Sequence, residues 1–195
     1  MRTTLLIATA IAMTAAAPAA AQSVTGTVNI TGSVGEKCLV TDPGPAGNTF
    51  TTTIDLGELA QADGTLRTGI EADFNAGGTG ASDVDFRVVC TTANPAVTVD
   101  ADPIVSANSA PAGYANTIDY QADITFSLVA NGSQTVSNDT TAGTPAAASL
   151  SDRLATGGTN VNVAGSNFRT PNATDVLVAD PNYTGLITIT IAPTT

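Results

Sequence analysis

The sequence predicts an all-β sandwich built from short strands. Three observations carry that expectation. Gly and Pro recur roughly every 10–15 residues, the spacing of short strands joined by turns. The chain is rich in Thr, Val, Ala, Asn and Gly, and helix signals are weak. Three segments alternate apolar and polar residues strictly, which is the period of a half-buried strand because successive side chains point to opposite faces.

Residues 1–21 read as a secretory signal. Met1-Arg2 gives a short positive start, Leu5 to Met13 an apolar stretch, and Ala19-Ala20-Ala21 a small-residue cleavage site. Gln22 is then the mature N-terminus. No later apolar run approaches the roughly 20 residues of a spanning helix, so a soluble exported product is expected. The first alternating segment places Val24, Val28, Ile30 and Val34 on even positions, with Gly26 and Gly32 interleaved. The second is Ile118, Tyr120, Ala122, Ile124, Phe126 and Leu128, the expected central strand. The third places Tyr183, Gly185, Ile187, Ile189 and Ile191 on odd positions with Thr184, Thr188 and Thr190 between them. It ends almost at the carboxyl terminus, so its far edge is expected to lack a following strand, and such an edge invites head-to-tail pairing.

Candidate strands in chain order are 26–34, 37–41, 50–56, 67–74, 83–91, 96–100, 118–130, 159–164, 175–179 and 183–192. Asp42-Pro-Gly-Pro45 and Gly77-Gly-Thr-Gly80 read as turns. The polar, Ala-rich stretch 137–158 is expected to be irregular, with a short helical turn over Ala146 to Leu154.

Beyond Arg2, five basic residues (Lys37, Arg67, Arg87, Arg153, Arg169) stand against 17 acidic ones, a balance that repels nucleic acid and anionic membranes. The acids are scattered, as on a solvated surface. In an exported chain the two cysteines, Cys38 and Cys90, are expected to pair. That bond closes a loop of about 52 residues, worth about 4 kcal/mol in the chain-entropy description.

Catalytic chemistry finds little support. Histidine is absent, which removes the commonest general base and metal ligand. Lys37, the only lysine, reads as a solvated ammonium beside Cys38. There is no GxSxG nucleophile elbow and no phosphate-cradling Gly-rich loop before a helix. Asp83/Asp85 and Asp100/Asp102 put paired carboxylates on one strand face, where they could meet Ca²⁺ or act as acid and base; a solvated strand face explains them as well. The expectation is no enzyme, no cofactor and no metal.

Several segments together resemble the chaperone–usher pilus subunits. Gly26-Thr-Val-Asn-Ile-Thr-Gly-Ser-Val34 followed by Cys38-Leu-Val-Thr41 is similar to their donor segment and first cysteine. Thr53-Ile-Asp-Leu-Gly-Glu-Leu59, Asp85-Phe-Arg-Val-Val-Cys90 and Asn182-Tyr-Thr-Gly-Leu-Ile-Thr-Ile-Thr-Ile191 resemble their Leu-Gly strand, second-cysteine strand and terminal strand, in the same order. The Ser23-Val-Thr-Gly-Thr-Val28 start and Tyr-Thr-Gly185 also resemble the archaic branch with its spore coat protein U-like domain. The resemblance implies an incomplete immunoglobulin-like sandwich, the pilin fold, completed by donor-strand exchange. Residues 22–35 would be the donor extension and 36–195 the pilin domain. Val28, Ile30 and Val34 would fill pockets, and Gly32 would pass a constriction. Tyr183, Gly185, Ile187, Ile189 and Ile191 would line the acceptor groove. Implied partners are neighbouring copies, a periplasmic chaperone and an outer-membrane usher. The implied location is a fimbrium on the cell surface, reached through the periplasm, with a role in adhesion or biofilm formation. One departure stands out: many such subunits end near an aromatic, whereas this chain ends Ile191-Ala-Pro-Thr-Thr195, and Pro193 cannot donate a ladder hydrogen bond.

Two other readings remain open at this level. The first strand could pair within its own chain as part of a closed sandwich. The chain would then be a monomeric secreted lectin-like or adhesin binding module, although its few aromatics (five Phe, three Tyr, no Trp) argue against a carbohydrate-stacking cleft.

Overall fold

The computed structural model describes residues 25–79 and 84–194. The signal segment 1–21, Val24, Gly80 and Asp83 fall outside the described residues. The chain divides into two compact units at Ser33/Val34. In the first, residues 25–33 form neither strand nor helix, and Val28 and Ile30 are 84% and 92% exposed. The strand expected over 26–34 is thus not formed here. Alternation supplies only the side-chain pattern of a strand; the ladder needs a partner's N–H and C=O groups.

The second unit is an all-β sandwich. Its strands are β1 (Cys38–Asp42), β2 (Asp85–Cys90), β3 (Ala96–Val105), β4 (Tyr114–Ala115), β5 (Thr117–Ser127), β6 (Ser133–Asp139), β7 (Ala146–Ser149), β8 (Val161–Arg169), β9 (Val176–Leu177) and β10 (Thr184–Ala192). One antiparallel layer runs β1-β2-β8-β5-β6, and the other runs β10-β3-β7. The layers join where Ile104 and Val105 of β3 pair with Ile118 and Thr117 of β5. Among the strand pairs of the described residues, the short β4–β9 pair alone is parallel.

The core lies between the layers. In β5 the even residues Ile118 to Phe126 are buried while the odd ones are half-buried, so this is the central strand its alternation predicts; it pairs with β8 and β6, and with β3 at its start. Two buried asparagines serve the backbone. The Asn160 side chain bonds both the N–H and C=O of Val88, continuing the β2 ladder. Asn138 of β6 accepts from the Ala101 N–H of β3 and so ties one layer to the other. Either side chain removed would leave buried backbone groups unpaired, at about 1–3 kcal/mol each. Cys38 sits opposite Cys90 in the β1–β2 register and the two form the expected disulfide.

Three sequence expectations are corrected. Residues 67–74 do not form a strand; Ile70–Asn75 is a helical turn, α1, which buries Ile70 and Phe74. Their i, i+4 spacing is helical, and it outweighs the β-like composition. Phe74 packs so closely on β8 that a Cβ on Gly165 would come within 3.1 Å of its ring, and Asn75 accepts the Gly165 N–H. Ala146–Ser149 is strand β7 and not a helical turn, because the open edge of β3 offers it a ladder. Residues 50–56 are not assigned as strand: only Asp55 makes an isolated bridge, to Gly78.

Candidate functional site

β10 pairs with β3 over Leu186–Ala192, which sets Ile187, Ile189 and Ile191 opposite Ala101, Val99 and Val97. Both sides of these pairs point to the core, yet the outcomes differ. Val97 and Val99 are 1% and 0% exposed, whereas the three isoleucines are only partly buried. Along its other edge β10 pairs with no strand among the described residues.

That edge borders a groove of about 1370 Å³. β10 forms one lip. Val40 of β1 and the segment 48–60 form the other, with Phe50, Ile54, Leu56 and Leu59 half-buried against the core. Phe86, Val88, Tyr120 and Val163 make the floor. The volume exceeds the ~300–1,000 Å³ usual for a small-molecule pocket. The alternate apolar side chains along a free strand edge suit an extended polypeptide, which takes main-chain pairing and side-chain pockets together.

The residues expected to form the acceptor line this groove: Tyr183, Gly185, Ile187, Ile189 and Ile191. Tyr183 precedes β10, and its hydroxyl donates to the Val178 carbonyl at 2.9 Å, fixing the strand's start. Burial, and then the nearby Asp180 carboxylate, push this phenol up from its ordinary value. Gly185 sits at a register shift in the β10–β3 ladder, where a Cβ would lie 2.9 Å from Ile104 Cγ1. The second lip, residues 48–60, is the part of the site the sequence reading missed. Its signal is the spacing of Phe50, Ile54, Leu56 and Leu59, which is neither strictly two nor 3.6 because no ladder or helix holds the segment.

The ends of the groove differ. Where β10 stops, Thr194 bonds to Thr92 and to the Asn94 carbonyl. At the same end Gly35–Lys37 is tied down through Thr91: the Thr91 N–H donates to the Lys37 carbonyl, and Lys37 N–H donates to the Thr91 hydroxyl. Where β10 starts, Asp180 is fixed by the Ser106 hydroxyl at 2.5 Å and by the Asn182 N–H. The Ser106 hydroxyl, and then the Asn182 N–H, lower the Asp180 carboxyl below its ordinary range. Pro193 lies just past β10, which ends at Ala192 as the missing donor requires.

The paired carboxylates take other places. Asp100 and Asp102 stand on the outer face of β3, across from Thr188 and Leu186. Asp85 accepts from the Asn162 amide. Among the described residues no group of three or more His, Cys, Asp or Glu is arranged to hold a metal ion. Among the same residues no helix is long and apolar enough to cross a membrane. No protein-family model, curated protein or solved structure matches this chain.

Proposed function

We propose that the protein is a structural subunit of a surface fibre that polymerises by donor-strand complementation, as its resemblance to chaperone–usher pilus subunits implies. The observation that carries the reading is the open groove along the free edge of β10, lined by Ile187, Ile189 and Ile191. The same chain carries a complementary segment, in which Val28, Ile30 and Val34 alternate with polar residues and are 84%, 92% and 80% exposed. In this reading residues 22–35 of one copy enter the groove of the next and complete an immunoglobulin-like sandwich.

The polarity of the fold favours a neighbour over self-insertion. The extension leaves the sandwich beside Thr91, at the end where β10 stops. To enter its own groove it would reverse within Gly35–Lys37 and run parallel to β10. A neighbour's extension can enter from the opposite end, without reversal, and pair antiparallel, the slightly stronger ladder. A chaperone would hold the same edge before assembly, and an usher would exchange it for the neighbour's segment.

The test is removal of residues 22–34 from the mature chain. The fold of the second unit should persist and polymers should vanish, leaving monomer that still captures a synthetic 22–34 peptide. Unchanged polymers after the deletion would sink the reading.

A further inference from the structure

A cation and a carboxylate stand at opposite ends of the sandwich: Lys37 beside Thr91, where β10 stops, and Asp180 in the groove lining, where β10 starts. Lys37 is the only lysine of the chain. It is exposed, its backbone is held on both sides by Thr91, and its ammonium forms no ion pair among the described residues, where Arg67–Asp73 and Arg169–Asp139 are the pairs present. Asp180 lines the groove at the other end, with its carboxylate oriented by Ser106 and Asn182. β10 runs between the two ends, and its nine residues span roughly 30 Å at about 3.3 Å each. Lys37 and Asp180 therefore cannot meet within one chain.

Between copies they can. This inference rests on the donor-strand reading. If Val34 of an inserted segment lies level with Gly185, the three residues to Lys37 reach about 10 Å beyond Gly185, or roughly two residues past the start of β10. That is where Asp180–Asn182 lie. The adjacent Glu36 is also exposed, and with Val34, Arg153 and Thr194 it borders a shallow open depression on its own copy.

We propose that Lys37 of each copy pairs with Asp180 at the groove mouth of the next. The pair sets the register at which the inserted strand stops and steers the Lys37 ammonium of one subunit to the Asp180 carboxylate of another. Exposed pairs contribute little to equilibrium affinity, but complementary charge speeds encounter and penalises wrong alignments.

The experiment is polymerisation of the full mature chain, followed as the rate at which an SDS-resistant ladder appears at low salt and near 1 M salt. Lys37→Glu should assemble about three- to tenfold more slowly at low salt. The difference should disappear near 1 M salt, where the Debye length is about 3 Å. Combining Lys37→Glu with Asp180→Lys should bring the rate back to within about twofold of the natural chain. If Asp180→Lys does not fold, the milder Asp180→Asn and Lys37→Gln form a double-mutant cycle, and the double variant should be no slower than either single one. Lys37→Glu assembling at the natural rate, or a double variant as slow as the sum of its parts, would overturn the contact while leaving strand donation standing. No ladder from the natural chain would remove the donor-strand reading, and this inference with it.

Discussion

Ile30 is the residue whose change separates an inserted strand from an idle tail. Its side chain is 92% exposed in a single copy, so nothing in the folded unit depends on it. Insertion into a groove lined by Ile187, Ile189 and Ile191 would bury it almost fully. Full burial of an isoleucine is worth about 1.5–3 kcal/mol. Ile30→Ala should lose most of that, weakening strand capture about tenfold to a hundredfold at 1.4 kcal/mol per decade. Ile30→Asp adds the cost of taking a carboxylate out of water among aliphatic side chains, several kcal/mol further, and should abolish capture. Asn29 belongs to the opposite face of the alternation, so Asn29→Gln should change capture by no more than about 0.5 kcal/mol. The assay is binding of labelled 22–34 peptides, with each substitution, to the chain lacking those residues. Equal binding by the Ile30→Asp and natural peptides would show that Ile30 is not buried in the groove, because a groove indifferent to a buried charge is not reading that side chain.

Two further predictions concern the fold. Replacing Cys38 and Cys90 together by serine should cost about 2–4 kcal/mol, because their bond closes a long loop, and should lower Tm by roughly 4–16 °C for a domain of this size; a shift below about 2 °C would contradict it. Asp139 is held at about 2 chiefly by the Arg169 guanidinium, with help from the Thr141 hydroxyl. Its folded pKa is thus below the unfolded value near 3.9, so the stabilisation is complete above that value and is lost as pH falls from about 4 through about 2. The carboxylate side chain is 33% exposed, so solvent screening limits the effect to roughly 1 kcal/mol. The stability difference between the natural chain and Asp139→Asn should close over that window, and a difference constant with pH would contradict the pairing.

The fold was legible where one periodicity dominates. Strands β2, β5 and β10 alternate cleanly, and each appears within a few residues of its expected place. β6 was not legible, because Ser133–Asp139 sends only Val136 and Asn138 fully inward, and the second of these is polar. The buried role of Asn138 and Asn160 depends on backbone groups that come from distant segments, which no local pattern encodes. In α1 a two-residue helical signal was hidden by neighbours of mixed character. For the candidate site, the apolar series on β10 was readable from its alternation. The opposing lip at 48–60 was not, since its course is fixed by packing on Phe86 and by the Arg67 side chain, which donates to the Leu56 and Glu58 carbonyls.

Donor-strand polymerisation is tested by the mobility in SDS of surface material sheared from cells that export the protein, loaded before and after boiling. Strand-complemented polymers resist dissociation kinetically, because a subunit must unfold before the strand leaves. A donor-strand polymer gives a ladder that collapses on boiling to one band at the mature monomer. Monomer alone in both lanes, from material shown to be exported and folded, would contradict it.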